Sequence, residues 1–282
     1  MRLLLSLLVF TLALHAEPRR IVSTAPSFTE IVYAIGAGDR LVGVSNHCHF
    51  PTDVERLPKV GTYLRPNVEA IVRLKPDLVL LNEDVPQVAS QLGRLGIPPL
   101  RLNNTGLEDM FRSIRQIGIA IDMTTKAARL EQSIRDRLQA LRRVTAGKPR
   151  KSLLFIVGRT PGRLDGLVAV GKGSFLNELI AIAGGHNALA DSLVSYPRIS
   201  LEAVLRINPE VIVDMGDMAE TIGVTETHKQ DVVKLWEKQG DLKAVTSKRV
   251  YAVAADIFVV PGPRIAEAAE AFAKMLQERP AR

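Results

Sequence analysis

Asn67-Val-Glu-Ala-Ile-Val-Arg-Leu-Lys-Pro-Asp-Leu-Val-Leu-Leu81 decides the fold, because the chain carries this stretch twice. It returns as Ser200-Leu-Glu-Ala-Val-Leu-Arg-Ile-Asn-Pro-Glu-Val-Ile-Val-Asp214. Glu69, Ala70, Arg73 and Pro76 are matched by Glu202, Ala203, Arg206 and Pro209, and apolar meets apolar at the other core positions. A second echo, Glu30-Ile-Val-Tyr-Ala-Ile-Gly36 against Glu178-Leu-Ile-Ala-Ile-Ala-Gly184, comes in the same order in each half. The pattern predicts two similar α/β lobes in tandem. Two facing lobes enclose a cleft, which is an architecture for binding something between them.

Working outward, Arg20-Ile21-Val22-Ser23 reads as a first strand. Ser27 and Glu30 form a Ser-x-x-Glu capping box for the helix that follows. Asn67 caps the repeat helix, which stops before Pro76, and Leu78–Leu81 is a continuously apolar strand of the kind buried in a parallel sheet. Strand and helix keep alternating through Leu100-Arg101-Leu102, the signature of βαβ units. From Thr124 to Val144 the pattern changes: Ala127, Leu130, Ile134, Leu138, Leu141 and Val144 recur at helical spacing with no Gly or Pro between them. This predicts one helix about 30 Å long, a stiff connector between the repeats. In the second half Leu153–Val157 and Val211–Val213 are strands, with Val250–Val253 a further one. Gly158–Gly173 is loop or hairpin, and Ser174 and Ser200 are caps. A closing amphipathic helix presents Ile265, Ala268, Phe272 and Met275 on one face. The division expected is a leader over 1–16, a first lobe over 17–122, the linking helix over 123–147 and a second lobe over 148–282.

The chain has 282 residues, 46% hydrophobic and 24% charged, which suits a globular protein. Arg2, the apolar run Leu3–Leu14 and the small Ala16 have the form of a secretory signal peptide. The run is too short to span a bilayer, which takes about 20 residues. The expected mature protein is exported and soluble, starting near Glu17. The formal charge of +7 is read as solvated surface that helps contact with a membrane-side partner. No basic run with interleaved aromatics is present, so a nucleic-acid partner is not expected. The single Cys48 has no second cysteine with which to pair internally.

Loop aromatics Phe50, Tyr63, Tyr196 and Phe258 border predicted strand ends, where open α/β sheets bind ligands. Glu69 and Glu202 sit in the first turns of equivalent helices, favoured there by the helix dipole or placed as a two-point acidic dock for a partner. His47-Cys48-His49 lacks a zinc-site spacing, since neighbours on an extended segment point to opposite faces. One of the two histidines is left to line the cleft or to ligate a metal already held in a ligand. His186 and His228 read as surface residues. Gly-x-Ser-x-Gly, His-Glu-x-x-His and the phosphate-loop pattern are all absent, so an exported hydrolase finds no support. No resident metal or cofactor is expected.

Ile21-Val-Ser-Thr-Ala-Pro-Ser-Phe-Thr-Glu30, Leu41-Val-Gly-Val-Ser45, Phe50-Pro51, the Asn67–Val79 stretch, Gly171–Asn187 and Tyr196–Glu202 together resemble the class III periplasmic substrate-binding proteins. The resemblance spans essentially the whole mature chain. Within that family the vitamin B12-binding branch is the most similar; haem and ferric-siderophore carriers are relatives. It implies two Rossmann-like lobes joined by one long backbone helix, in a monomer that carries a small-molecule ligand to an ABC-transporter permease dimer. The ligand implied is a corrinoid or another metal-containing chelate. It implies that Glu69 and Glu202 meet arginines of the permease, and that His47, Phe50, Tyr63, Tyr196, Asp256, Ile257 and Phe258 touch ligand. The chain departs from the B12 branch at Asn82, Val260 and Ala183, where that branch carries a cleft tryptophan, an arginine and a disulfide cysteine. Arg65, Arg159 and Arg198 are then expected near the cleft, where they would suit an anionic siderophore or haem propionates.

Overall fold

The computed structural model describes residues 18–216 and 225–277; the leader read into residues 1–16 lies outside them. In the first lobe β1 (Ile21–Ser23), α1 (Pro26–Ala34), β2 (Leu41–Val44), α2 (Val68–Arg73), β3 (Leu78–Asn82), α3 (Pro86–Arg94), β4 (Pro99–Leu102) and α4 (Leu107–Ala120) follow in order. The strands form one parallel sheet in the order β2-β1-β3-β4. The linking helix α5 runs over Thr124–Thr145, 22 residues. The second lobe holds β5 (Ser152–Gly158), β6 (Leu167–Ala169), α6 (Phe175–Ile182), β7 (His186–Asn187), β8 (Arg198–Ile199), α7 (Leu201–Ile207), β9 (Val211–Asp214), α8 (Glu226–Glu237), α9 (Lys243–Thr246), β10 (Val250–Ala252) and α10 (Ile265–Gln277). The protein is thus α/β, with two sheets joined by one long helix.

The second sheet runs β10-β9-β5-β6-β8, and β7 pairs with β5. β10, β9 and β5 are parallel, whereas β6 is antiparallel to both β5 and β8. The reason is chain length. Residues 159–166 are all that separate β5 from β6, and a parallel return needs a crossover of about a dozen residues or more. The glycine-rich segment therefore closes a hairpin.

Caps and backbone carry the repeat into three dimensions. Asn67 and Ser200 each accept a hydrogen bond from the backbone three residues on, at Ala70 (3.0 Å) and Ala203 (3.3 Å). Lys75 (φ 46°) and Asn208 (φ 48°) are both left-handed just before Pro76 and Pro209, and Gly36 and Gly184 share a φ of 81°. One capping expectation fails. Pro26, with its fixed φ, occupies the first turn of α1, and extended Ala25 is the N-cap with no side-chain bond. Ser27 is thereby drawn inside the helix, and both it and Glu30 are used elsewhere.

Alternation along the strands explains how the lobes meet. Leu78 and Leu80 of β3 and Leu153, Phe155 and Val157 of β5 all face one shared core. Their neighbours Val79 and Leu81 face a core private to the first lobe, and Leu154 and Ile156 one private to the second. The two sheets therefore look at each other through a common apolar interior that α1, α4, α5, α6 and α10 fill. α5 buries Ala127, Ile134 and Leu138 there, with Leu130 and Leu141 packed alongside. The stripe does not extend to Val144, which is exposed. The turn ends on buried Thr145, whose hydroxyl bonds the Ile182 carbonyl at 3.1 Å. Arg115 and Arg135 pair with Glu108 and Glu131 between α4 and α5, and Arg137 reaches Glu270 on α10 at 3.0 Å. Exposed pairs of this kind contribute about 0–1 kcal/mol each, so the apolar stripe is what holds α5.

One ionic contact crosses the interior. Glu30 on α1, 4% exposed, accepts from Arg264 just before α10, with Nη2–Oε1 at 2.5 Å and Nε–Oε2 at 3.0 Å. Burial pushes the Glu30 carboxyl above its ordinary value of 4.5, and the Arg264 hydrogen bonds pull it partly back. Arg264→Met will leave this carboxylate buried without a counter-ion and destabilise the fold by about 3–5 kcal/mol at neutral pH. Because the folded-state value is raised, the ionised form is the costly one. The deficit should therefore narrow as pH falls through the raised folded-state value and below the ordinary carboxylate value, where Glu30 is protonated in both states. Urea unfolding at two pH values checks both statements. A deficit that widens in acid would contradict the assignment.

Candidate functional site

The carboxyl ends of the strands open into a cavity of about 540 Å³ between the lobes. Ala25, Pro26 and Ser27 line it from the start of α1, His47 and His49 from the segment after β2, and Tyr63 from the turn before α2. Asn82 ends β3 and Asp84 follows it, and Asn104 and Thr105 follow β4. From the second lobe come Ser174 and Phe175 at the start of α6, Ser195 and Tyr196 before β8, and Asp256, Val259, Val260 and Pro261 after β10. Polar groups ring a partly apolar space, the composition of a small-molecule site.

Ser27, released from capping, accepts from Asn104 Nδ2 at 2.6 Å and closes the floor. Asn82 accepts from the Asp84 backbone N–H at 3.0 Å, which fixes the turn after β3. Ser174 caps α6 by accepting from Asn177 N–H at 3.2 Å. Tyr63 and Tyr196 are each about two-fifths exposed, one from either lobe. Burial, and then the nearness of Tyr63, hold the Tyr196 phenol above its ordinary value of 10. The two rings are repeat partners: Tyr63 stands six residues before Glu69, and Tyr196 six before Glu202. The turn carrying Tyr63 requires Gly61 (φ 92°), where a Cβ would lie 2.5 Å from the Arg65 carbonyl.

The segment after β2 is not the extended run expected but a turn, closed by the Cys48 N–H on the Ser45 carbonyl at 3.1 Å. His47 and His49 reach the cavity, and Cys48 between them is fully buried, its Sγ 3.2 Å from Thr29 Oγ1. Burial pushes the Cys48 thiol up to about 11, which leaves it inert as nucleophile and ligand. Among the described residues no group of three or more His, Cys, Asp and Glu side chains is placed to hold a metal ion.

Other expected contacts lie elsewhere. Phe258 is 3% exposed and packs edge-on to Phe155 (5.8 Å) and against Phe272 (5.2 Å), because the 3₁₀ turn Asp256–Phe258 points it into the shared core. Ile257 packs on the same core, so of that trio Asp256 alone lines the cavity. Phe50, after which the peptide to Pro51 is cis, lies under the Arg264 guanidinium at 3.9 Å, outside the cavity lining. Arg159 is no cleft cation: Asp214 holds it in a buried pair at 2.9 Å, and Trp236 Nε1 donates to the same carboxylate at 2.6 Å. Arg65 and Arg198 are exposed and do not line the cavity. Among the described residues its lining has two carboxylates, Asp84 and Asp256, and no lysine or arginine. Asn82 and Val260, where the chain departs from the B12 branch, do line it. Glu69 and Glu202 are exposed and outside it: Glu69 lies 3.2 Å from Arg73, while a Ser200 hydrogen bond holds the Glu202 carboxyl below its ordinary value. The Glu30–Arg264 pair, Asn104 and Asp84 escaped the sequence reading. Only the Glu30/Glu178 echo hinted at the first.

A family model described as periplasmic binding protein matches residues 21–257. An ABC transporter substrate-binding lipoprotein of Bacillus subtilis, YvrC, is 32% identical over 268 residues, 92% of this chain and 80% of that one. Among solved structures, the periplasmic vitamin B12 binding protein BtuF of Vibrio cholerae superimposes with a TM-score of 0.77 at 28% identity, covering 93% of this chain and 97% of that one. The periplasmic heme-binding protein RhuT of Roseiflexus gives 0.77 at 26%, covering 92% and 99%. The chain belongs to the periplasmic binding proteins, in the class whose two lobes are joined by a long backbone helix, and is a substrate-binding protein of the ABC-importer type.

Proposed function

We propose that the protein binds a corrinoid between its lobes and hands it to the permease of an ABC importer, acting as a carrier and not as an enzyme. The observation that carries this is the charge of the cavity lining: among the described residues it has two carboxylates, many neutral hydrogen-bonding groups and no lysine or arginine. A corrin ring edged with neutral amides finds partners in Asn82, Asn104, Thr105, Ser195 and Asp256, and its apolar face finds Tyr63 and Tyr196. An anionic siderophore or the propionates of haem would surrender hydration to a lining with no lysine or arginine, and unpaired buried charge is costly. Haem remains the second reading, favoured by the two cavity histidines. The leader-like residues 1–16 and the family support a periplasmic location. No helix among the described residues is long and apolar enough to cross a membrane.

Glu69 and Glu202 are assigned to permease docking. Each is exposed at the start of a repeat helix, one per lobe, and neither lines the cavity. Because α5 is stiff and the core is shared, small tilts of the lobes accompany loading in place of a wide hinge closure.

Titration calorimetry of the purified chain against cobalamin, haemin and a ferric siderophore should give binding heat with cobalamin. Heat with a siderophore and none with cobalamin refutes the corrinoid reading. Tyr63→Ala should weaken cobalamin binding by about 1–2 kcal/mol, roughly five- to thirtyfold, because an aromatic wall of the site is lost. The double variant Glu69→Ala/Glu202→Ala should bind cobalamin as the unmodified chain does yet fail to support uptake in cells lacking the native gene. Normal uptake by that variant removes the docking assignment.

A further inference from the structure

We propose that His49 supplies an axial ligand, through Nε2, to the metal of the bound chelate, with Glu55 as the residue that positions it. This rests on the reading that a metal chelate occupies the cavity, and it names the coordination chemistry of that site.

Two observations converge on His49. It lines the cavity. Its Nδ1 is 2.7 Å from Glu55 Oε1, brought back beneath the ring by the 3₁₀ turn Thr52–Arg56. An ionised carboxylate only accepts, so Nδ1 carries the proton and the lone pair of the neutral ring sits on Nε2. Lys59 steadies Glu55 in turn: its Nζ lies 3.7 Å from Glu55 Oε2 and donates to the Cys48 carbonyl at 3.1 Å. A carboxylate on the remote nitrogen fixes tautomer and ring orientation and raises the basicity of the ligating nitrogen. The His47 ring has no such partner among the described residues.

The lining decides what kind of metal this arrangement serves. No described group of three or more His, Cys, Asp and Glu side chains is placed to take up a bare ion, so the metal arrives already chelated. One imidazole completes only a chelate with an exchangeable axial position, which describes a planar tetradentate macrocycle. A hexadentate siderophore has no such position. The step is a ligand exchange: the Nε2 lone pair replaces a water oxygen on the metal, the water leaves for solvent, and no electron or proton is transferred. The proton stays on His49 Nδ1, donated to Glu55, throughout.

The test uses the full chain with diaquocobinamide, which has no base of its own, and separately with haemin, followed by visible absorption and by calorimetry. The unmodified chain should shift the absorption bands from the aqua form to the imidazole form. His49→Ala should abolish the shift while heat of binding persists, and added free imidazole should restore it. Glu55→Gln should weaken ligation about ten- to a hundredfold and leave the final spectrum the same. A shift that survives His49→Ala, or that is lost only in His47→Ala, overturns the assignment. So does binding by the unmodified chain with the aqua spectrum intact, although the chelate reading then stands. If neither chelate binds, that reading falls and the assignment with it.

Discussion

A carboxylate from the first lobe is buried against a guanidinium from the second, and the placement of the cleft depends on that contact. Glu30 and Arg264 meet through two hydrogen bonds, with the carboxylates of Asp256 and Glu267 close enough to act on both. Such a pair adds little net stability, since desolvation consumes most of the attraction. Its effect is on position. Arg264 also covers the Phe50 ring, so one side chain fixes both α1 and the end of the segment that carries His47 and His49. The repeat partner of Glu30 makes the reciprocal crossing: Glu178 on α6 accepts from the Leu107 N–H at the start of α4 at 3.0 Å. Each lobe thus sends the same glutamate of the duplicated helix into the other, and the two contacts set the lobes' relative register.

The shared core makes that register stiff. Phe155, Phe258 and Phe272 form one aromatic cluster beneath the cavity, with contributions from β5, the turn after β10, and α10. Swinging the lobes far apart would expose such side chains at about 1.5–3 kcal/mol for each one fully uncovered. α5, at about 33 Å, is packed along α4 on one side and along α6 and α10 on the other. A structure held this way tilts more readily than it hinges.

Much of this was legible because it is local. Caps, left-handed residues before prolines and strand alternation are written within a few neighbouring positions, and duplication displays each of them twice. Contacts that span the chain left no local trace. Ser27 and Glu30 satisfy a capping pattern to the letter, yet their partners Asn104 and Arg264 lie 77 and 234 residues away. Phe258 looked like a cleft aromatic because loop aromatics border strand ends. The direction of a one-turn 3₁₀ helix, which sequence spacing does not encode, turned it inward. Arg159 misled for a related reason: its charge is visible in sequence, and the buried Asp214 that consumes it is not. Glycine content left Gly158–Gly173 open as loop or hairpin; the strand β6 within it, and its antiparallel direction, follow from loop length.

The net charge of the chain and the charge of its cavity have opposite signs, and this bears on what the protein selects. The chain carries 37 Lys and Arg against 30 Asp and Glu, yet Arg264 is engaged by Glu30, Arg159 by Asp214 and Lys59 by Glu55 and two carbonyls. The excess is left for the surface, where it shapes encounters at long range and is screened by salt. Inside, discrimination falls to neutral donors and acceptors, two carboxylates and two facing tyrosines. The same turns that hold those tyrosines lead directly into the capped helices bearing Glu69 and Glu202. Asn67 N–H bonds the Val60 carbonyl at 2.8 Å, and Gly61 bridges to Pro66, so the Tyr63 turn and the start of α2 form one hydrogen-bonded piece. Duplication thereby places a ligand-facing ring and an outward carboxylate six residues apart on each lobe. The position of either tyrosine constrains the glutamate beside it, which ties the geometry of the cavity to that of the exposed face.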